Sequence, residues 1–181
     1  MQADSQKGVT DRLRSMPLAP SAVVVGRCLS GMLYSAASLL LVVLCGLAIG
    51  WRWHGTPAET AGAFVLLLLL RMAFLWIGII LGLRAKSAEM ANSIFGLLYP
   101  VTMLSNAFIA AELMPGWLGT VVDLNPLSST INATRTLFGN PGVEQSGWFA
   151  DNAILLAVLW PVAITVLTLP LAVRAYQRLS R

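Results

Sequence analysis

Few residues in this chain have side chains able to do chemistry, and the most conspicuous of them stands where charge is costly. Arg71 interrupts "AGAFVLLLLLRMAFLWIGIILGL", about 15 Å of apolar helix from either end at 1.5 Å per residue. An arginine at the centre of a bilayer costs roughly 2.5–3.5 kcal/mol on insertion scales, so it should face a partner or a wet cavity. Two roles fit, a lining residue of a polar path and an interhelical polar contact; outward snorkelling is the plainer alternative. A second polar group, Tyr99, Thr102, Ser105 and Asn106, lies in "SIFGLLYPVTMLSNAFIAA" and suits either substrate contact or hydrogen bonding between helices. His54, the single histidine, sits in "WRWHG" with no second ligand nearby in sequence, so it reads as an interfacial residue rather than a metal ligand. Cys28 and Cys45 lie about 25 Å apart along one apolar helix, too far for a disulfide, and read as small apolar residues.

The motifs of self-contained enzymes are missing from the sequence. Lys7 and Lys86 are the two lysines, and neither belongs to a phosphate-binding GxxxxGK[ST] loop. There is also no HExxH zinc motif and no GxSxG elbow. The expectation is a protein that is not an enzyme and that takes no cofactor or metal. Nucleic acid is not expected as a partner, because the basic residues flank apolar blocks rather than forming a stripe with aromatics.

The elements that must position these residues are membrane helices. The 181 residues are 57% hydrophobic and 11% charged, against about 25% charged in a soluble domain. Four apolar blocks, residues 28–50, 61–83, 93–111 and 153–173, predict four spanning helices of an all-α integral membrane protein. Lys7, Arg12, Arg14 and Arg27 precede the first block, Arg84 and Lys86 follow the second, and Arg174, Arg178 and Arg181 follow the fourth. The other two connections carry Arg52 and Arg135 beside several acids. The positive-inside rule then places both termini in the cytoplasm, with residues 174–181 as a basic tail and Trp51 and Trp53 in an outer aromatic belt. The first twenty residues contain no apolar block of the signal-peptide kind, so the first span is expected to direct insertion. Gly46 with Gly50 and Gly78 with Gly82 are four apart, which predicts close helix approach, inside the chain or at a seam between copies.

The outer connection, residues 112–152, is too long for a turn. "PGWLGTVVDL" predicts a short helix opening near Pro115 and carrying Trp117. "NPLSSTINATRTLFG" predicts a second, with Asn125 as N-cap, Pro126 at the first helical position, Arg135 within it and Gly139 as the stop. Leu127, Ile131 and Phe138 lie broadly on one side, so the pair is expected to rest on the bilayer or dip into it as re-entrant helices.

The front, residues 1–27, is a cytoplasmic segment with its own pattern. Val9, Leu13 and Met16 form one apolar stripe over about two helical turns, residues 9–16, with Arg12 and Arg14 off it. Pro17 ends the helix and Ser21 can cap the next one, which runs into the first span. The geometry is an L, a short helix joined through a two-proline elbow to a membrane helix; a basic flank that merely sets topology is the plainer alternative.

"KGVTDRLRSMPLAPSAVVVGRCLSG" resembles the cytoplasmic coupling segment of ABC-2-type exporter permeases, in particular the daunorubicin-resistance type. "NAFIAAELMPGWLGTVVDLNPLSSTINATRTLFGNP" is similar to the same family's stretch before its last helix, which forms re-entrant outer helices. The resemblance implies a permease subunit of an ATP-binding-cassette exporter that moves a lipophilic drug, antibiotic or lipid out of a bacterial cell. It implies a separate ATPase subunit docking on Asp11, Arg12, Leu13, Arg14, Met16 and Pro17, and a second permease copy. It also implies two further spans ahead of the coupling segment, which this chain is expected to lack. The alternative expectations are a non-transporting four-span scaffold and a truncated permease remnant.

Overall fold

The computed structural model describes residues 20–84, 87–108, 111–140 and 147–179, and all regular structure among them is helical. The helices are α1 (Pro20–Ile49), α2 (Pro57–Arg84), α3 (Ala88–Met103), α4 (Gly116–Asp123), α5 (Pro126–Leu137), α6 (Trp148–Asp151) and α7 (Ala153–Leu179). A 3-10 turn, Ala111–Leu113, precedes α4. The coupling helix expected at residues 9–16, with Asp11, Arg12, Leu13, Arg14, Met16 and Pro17, lies outside the described residues.

The helix starts follow local chemistry. Thr56 opens α2 in a capping box: Glu59 Oε2 accepts from the Thr56 N–H and Oγ1–H at 2.7 and 2.8 Å, and the Glu59 N–H donates to Thr56 Oγ1 at 3.3 Å. Pro57 takes the first helical position, where its missing N–H costs nothing. Ser87 caps α3 by accepting from the Met90 N–H at 3.1 Å. Asn125 caps α5, with Pro126 following it, at the positions the sequence predicts.

Three helices are long and apolar enough to cross a membrane, over Cys28–Ile49, Pro57–Gly82 and Ala153–Ala175. They match three of the four expected spans closely. The fourth expectation, residues 93–111, meets a different structure. The helix there is α3, which starts earlier and ends at Met103, and its 16 residues reach about 24 Å at 1.5 Å each, short of a 30 Å hydrocarbon core. Pro100 lies in its last turn, and beyond Leu104 the chain bends through Ser105 and Asn106. Ser105 Oγ donates to the Thr102 carbonyl, and the Asn106 backbone N–H and side-chain amide donate to α5, which offers the backbone a better-satisfied path than continued helix.

The centre of the bundle is α2, packed along α7, α5 and α1. Apart from Arg71, its membrane-length stretch is apolar nearly all round and gives little sign of which side faces inward. The structure selects one stripe, Ala63, Leu66, Leu70, Ala73, Trp76 and Ile80, spaced three and four apart. On α7, Ala153, Ala157 and Pro161 are buried at successive four-residue steps, so the backbones come close where the side chains are small. Helix α1 is joined more loosely and leaves most of its apolar surface exposed. Its close approach to α2 is at Gly31, where a Cβ would stand 3.0 Å from the Leu75 side chain. The predicted glycine pairs make no close helix approach within the chain. Gly50 ends α1 with φ +103°, and no atom comes within 4 Å of a Cβ built at Gly78 or Gly82.

Candidate functional site

Two groups of polar side chains enter the apolar bundle, and each is built by different elements. The first belongs to α5, which is wedged between α2 and α7. Its buried residues are Ser128, Ser129, Thr130, Ala133 and Thr134, whereas Leu127, Ile131 and Phe138 are only half-buried. The inward side is therefore small and hydroxylated. Small residues allow close packing against neighbouring helices, and the hydroxyls find acceptors inside the helix itself. Thr130 Oγ1 donates to the Pro126 carbonyl at 2.9 Å, Ser129 Oγ to the same carbonyl at 3.2 Å, and Thr134 Oγ1 to the Thr130 carbonyl at 2.8 Å.

Asn106 belongs to this first group. It is 2% exposed, its backbone N–H donates to Ser128 Oγ at 3.1 Å, and its side-chain amide donates to Asn132 Oδ1. Asn125 reinforces the same junction, donating through Nδ2 to the Val101 and Leu104 carbonyls at 2.9 and 2.7 Å. These bonds satisfy the carbonyls that the end of α3 leaves open. Asn106 is therefore an interhelical strut. Tyr99, by contrast, is 65% exposed on α3.

The end of α5 is clasped to the loop that joins α1 to α2. Phe138, Gly139 and Asn140 close α5 in a Schellman motif: the Asn140 N–H donates to the Arg135 carbonyl at 3.0 Å and the Gly139 N–H to that of Thr136 at 2.9 Å. Gly139 has φ +64°, and a Cβ there would stand 2.8 Å from the Gly55 nitrogen, so both its conformation and its surroundings require glycine. The Phe138 carbonyl accepts from the His54 and Gly55 N–H groups at 2.8 and 3.2 Å. Asn140 Nδ2 donates to the Arg52 carbonyl at 2.9 Å, and its Oδ1 pairs with His54 Nδ1 at 3.0 Å. The Phe138 ring meets Trp51 and Phe64 edge-on at centroid distances of 5.3 and 5.5 Å. His54 thus holds a structural clasp. Before it along the chain, Pro115 is the N-cap residue of α4, and Trp117 is 73% exposed.

The second group is smaller. Arg71 stands midway along α2, and its Nε donates to Ser35 Oγ on α1 at 2.8 Å. Ser35 spends its own hydrogen on the Gly31 carbonyl at 2.7 Å, so the serine oxygen is oriented to accept from the guanidinium. Arg71 is nevertheless exposed on the surface of the chain. Ser35 is the missed member of this site; as one of several serines on an apolar helix, it carries no signal of its own in sequence. Arg71 is tied to α1 while Asn106 is tied to α5, and among the described residues no hydrogen bond joins them. Cys28 and Cys45 are both free, as their separation predicts.

The short α4–α5 pair beside membrane-length helices stands where the rear motif expects outer helices, and comparison with known proteins gives the family. The ABC-2 type transporter family matches residues 1–138, a stretch that runs through Asp11 to Pro17. The chain belongs to this family. The family is one of membrane components of transporters, and this ABC-2 chain has three helices long and apolar enough to cross a bilayer. It is 32% identical over 178 residues to the daunorubicin resistance ABC transporter permease protein DrrB1 of Streptomyces coeruleorubidus. That alignment covers 98% of this ABC-2 chain and 60% of the relative's length. No solved structure matches it.

Proposed function

We propose that this chain is a membrane-spanning subunit of an ATP-driven exporter that carries lipophilic compounds out across the bacterial plasma membrane. The observation that carries this reading is the ABC-2 match through residues 1–138, which contains both the front segment and the α4–α5 pair. The relative's printed name, a drug-resistance permease, supports a drug-like cargo. A separate ATPase docks on the apolar stripe of Leu13 and Met16, with Asp11, Arg12 and Arg14 as charge partners. Closure of the ATPase on nucleotide pushes this short lever, and Pro17 and Pro20 pass the push to α1. Nucleotide can bias the membrane helices only through contacts that differ between two states, and a lever docked in the ATPase supplies such contacts. Both termini and the segment carrying Arg84 and Lys86 then face the cytoplasm, the Trp51 clasp faces outward, and a second permease copy completes the path, which Arg71 lines.

Leu13→Glu tests the reading directly. It places a charge in the docking stripe, and we expect it to abolish co-purification with the ATPase while leaving membrane insertion unchanged. Undiminished co-purification removes the lever from the mechanism.

A further inference from the structure

We propose that α5 is a connecting rod: the clasp between residues 52–55 and 138–140 joins it rigidly to the α1–α2 pair, so that a displacement of α1 arrives at the end of α3. The inference rests on the exporter reading above and supplies that reading with a path across the membrane. Three links make the path, each built from contacts present in the chain.

The first link holds α1 to α2. Cys28 packs in one cluster with Trp76, Ile79 and Ile80, Gly31 meets Leu75, and Ser35 meets Arg71. From the Gly31 contact to the Ser35 contact, α1 advances four residues and α2 goes back four, a single antiparallel register. Side chains interlocked at successive turns resist sliding, so the two helices move together. The second link is the clasp. Its centre is backbone against backbone, with the His54 and Gly55 N–H groups on the Phe138 carbonyl and no space for a Cβ at Gly55 or Gly139. Asn140 Nδ2 donates to the Arg52 carbonyl at 2.9 Å and reaches that of Phe138 at 3.4 Å, which turns Oδ1 to His54 and makes Nδ1 the donating ring nitrogen. A second ring proton goes to Nε2, so charging the histidine leaves the bond in place. Such a contact is a joint rather than a latch.

The third link is α5 itself. Its one proline stands at the first helical position and it contains no glycine, so twelve residues run as unbroken helix for about 18 Å. At the far end Asn125 holds the Val101 and Leu104 carbonyls, and Ser128 and Asn132 accept from Asn106. A helix gripped at both ends by different elements passes a shift from one to the other.

The test uses the transporter assembled with its ATPase in liposomes, with Cys28 and Cys45 replaced by alanine. Nitroxides at the exposed Ala48 on α1 and Thr136 on α5 report the joint by dipolar electron spin resonance, a reading that needs no transport. One narrow distance is expected, the same with and without ATP; a distance that shifts with nucleotide overturns the joint. Gly55→Ala should broaden the distance and lower transport about fivefold or more, the lower end of typical coupling energies, while ATP hydrolysis continues. Asn140→Ala is the milder variant, with the same split expected at smaller size, and serves if Gly55→Ala fails to fold. Full transport by a variant whose distance has broadened overturns the rod, and so does a loss of hydrolysis that equals the loss of transport. His54→Cys with Asn140→Cys then locks the clasp through side chains that already touch. The oxidised pair should transport as the parent does; transport that stops on oxidation and returns on reduction marks a gate that has to open and overturns the proposal. Absence of ATP-driven transport in the parent, with the narrow distance and its broadening in Gly55→Ala intact, sinks the exporter reading and leaves the joint standing.

Discussion

The inward side of α5 and the exposed Arg71 are both polar intrusions into an apolar bundle, yet they are built on opposite principles. The α5 hydroxyls are buried and return their hydrogens to carbonyls one turn back. Arg71 is exposed and rests on a single serine. In hydrocarbon a polar group must be satisfied, because no water is there to do it. A group satisfied inside its own helix is free to serve packing. Arg71 has one donor engaged by Ser35, and among the described residues its others are left available at the surface. The comparison therefore separates architecture from function more sharply than residue type does.

The contrast can be broken first at the clasp. A Cβ at Gly55 would stand 2.2 Å from the Leu137 carbonyl oxygen, a backbone atom, so Gly55→Ala must pry the loop away from α5. We expect a loss of about 3 kcal/mol, the upper range for overpacking, read as a large fall in the thermal midpoint of the purified protein. Asn140→Ala removes the bonds to Arg52 and His54 and leaves the Schellman backbone in place. Its expected cost is about 1–2 kcal/mol by the same measurement, the scale of one or two hydrogen bonds. Thr130→Val keeps the shape of the buried side chain and deletes a bond that stays within one helix. A change of about 1 kcal/mol or less is expected from denaturant titration, and a much larger loss would show that the hydroxyl does more than pack. Arg71→Leu sharpens the comparison from the other side. Removing an incompletely paired charge from the middle of a membrane helix should leave the melting temperature unchanged or raised. Transport in liposomes should nonetheless fall by about tenfold or more, equivalent to about 1.4 kcal/mol of lost stabilisation. Full transport by that variant would take Arg71 out of the mechanism.

Much of the α5 region was legible before folding because capping is local. Asn125, Pro126 and Gly139 act within a few residues of themselves, and each stands where its backbone chemistry requires. The three long helices were legible because hydrophobic length alone sets them. The early end of α3 was not, since Pro100 and the bend at Ser105 and Asn106 matter only once α5 is beside them to receive their hydrogen bonds. The inward side of α5 was not legible either, because Ser128, Ser129, Thr130 and Thr134 gain their buried places only from the helices packed against them.

By itself, then, the sequence determined how much chain is greasy enough for a bilayer, where charges flank it, where the caps fall and which family motifs it carries. These are properties of neighbours along the chain, settled by transfer energy and backbone geometry. Tertiary structure alone decided which stripe of the largely apolar α2 faces inward, that residues 52–55 grip residues 138–140, and that Ser35 meets Arg71. Those contacts join positions far apart in sequence, and an apolar helix with no preferred side takes its orientation from the shapes packed against it.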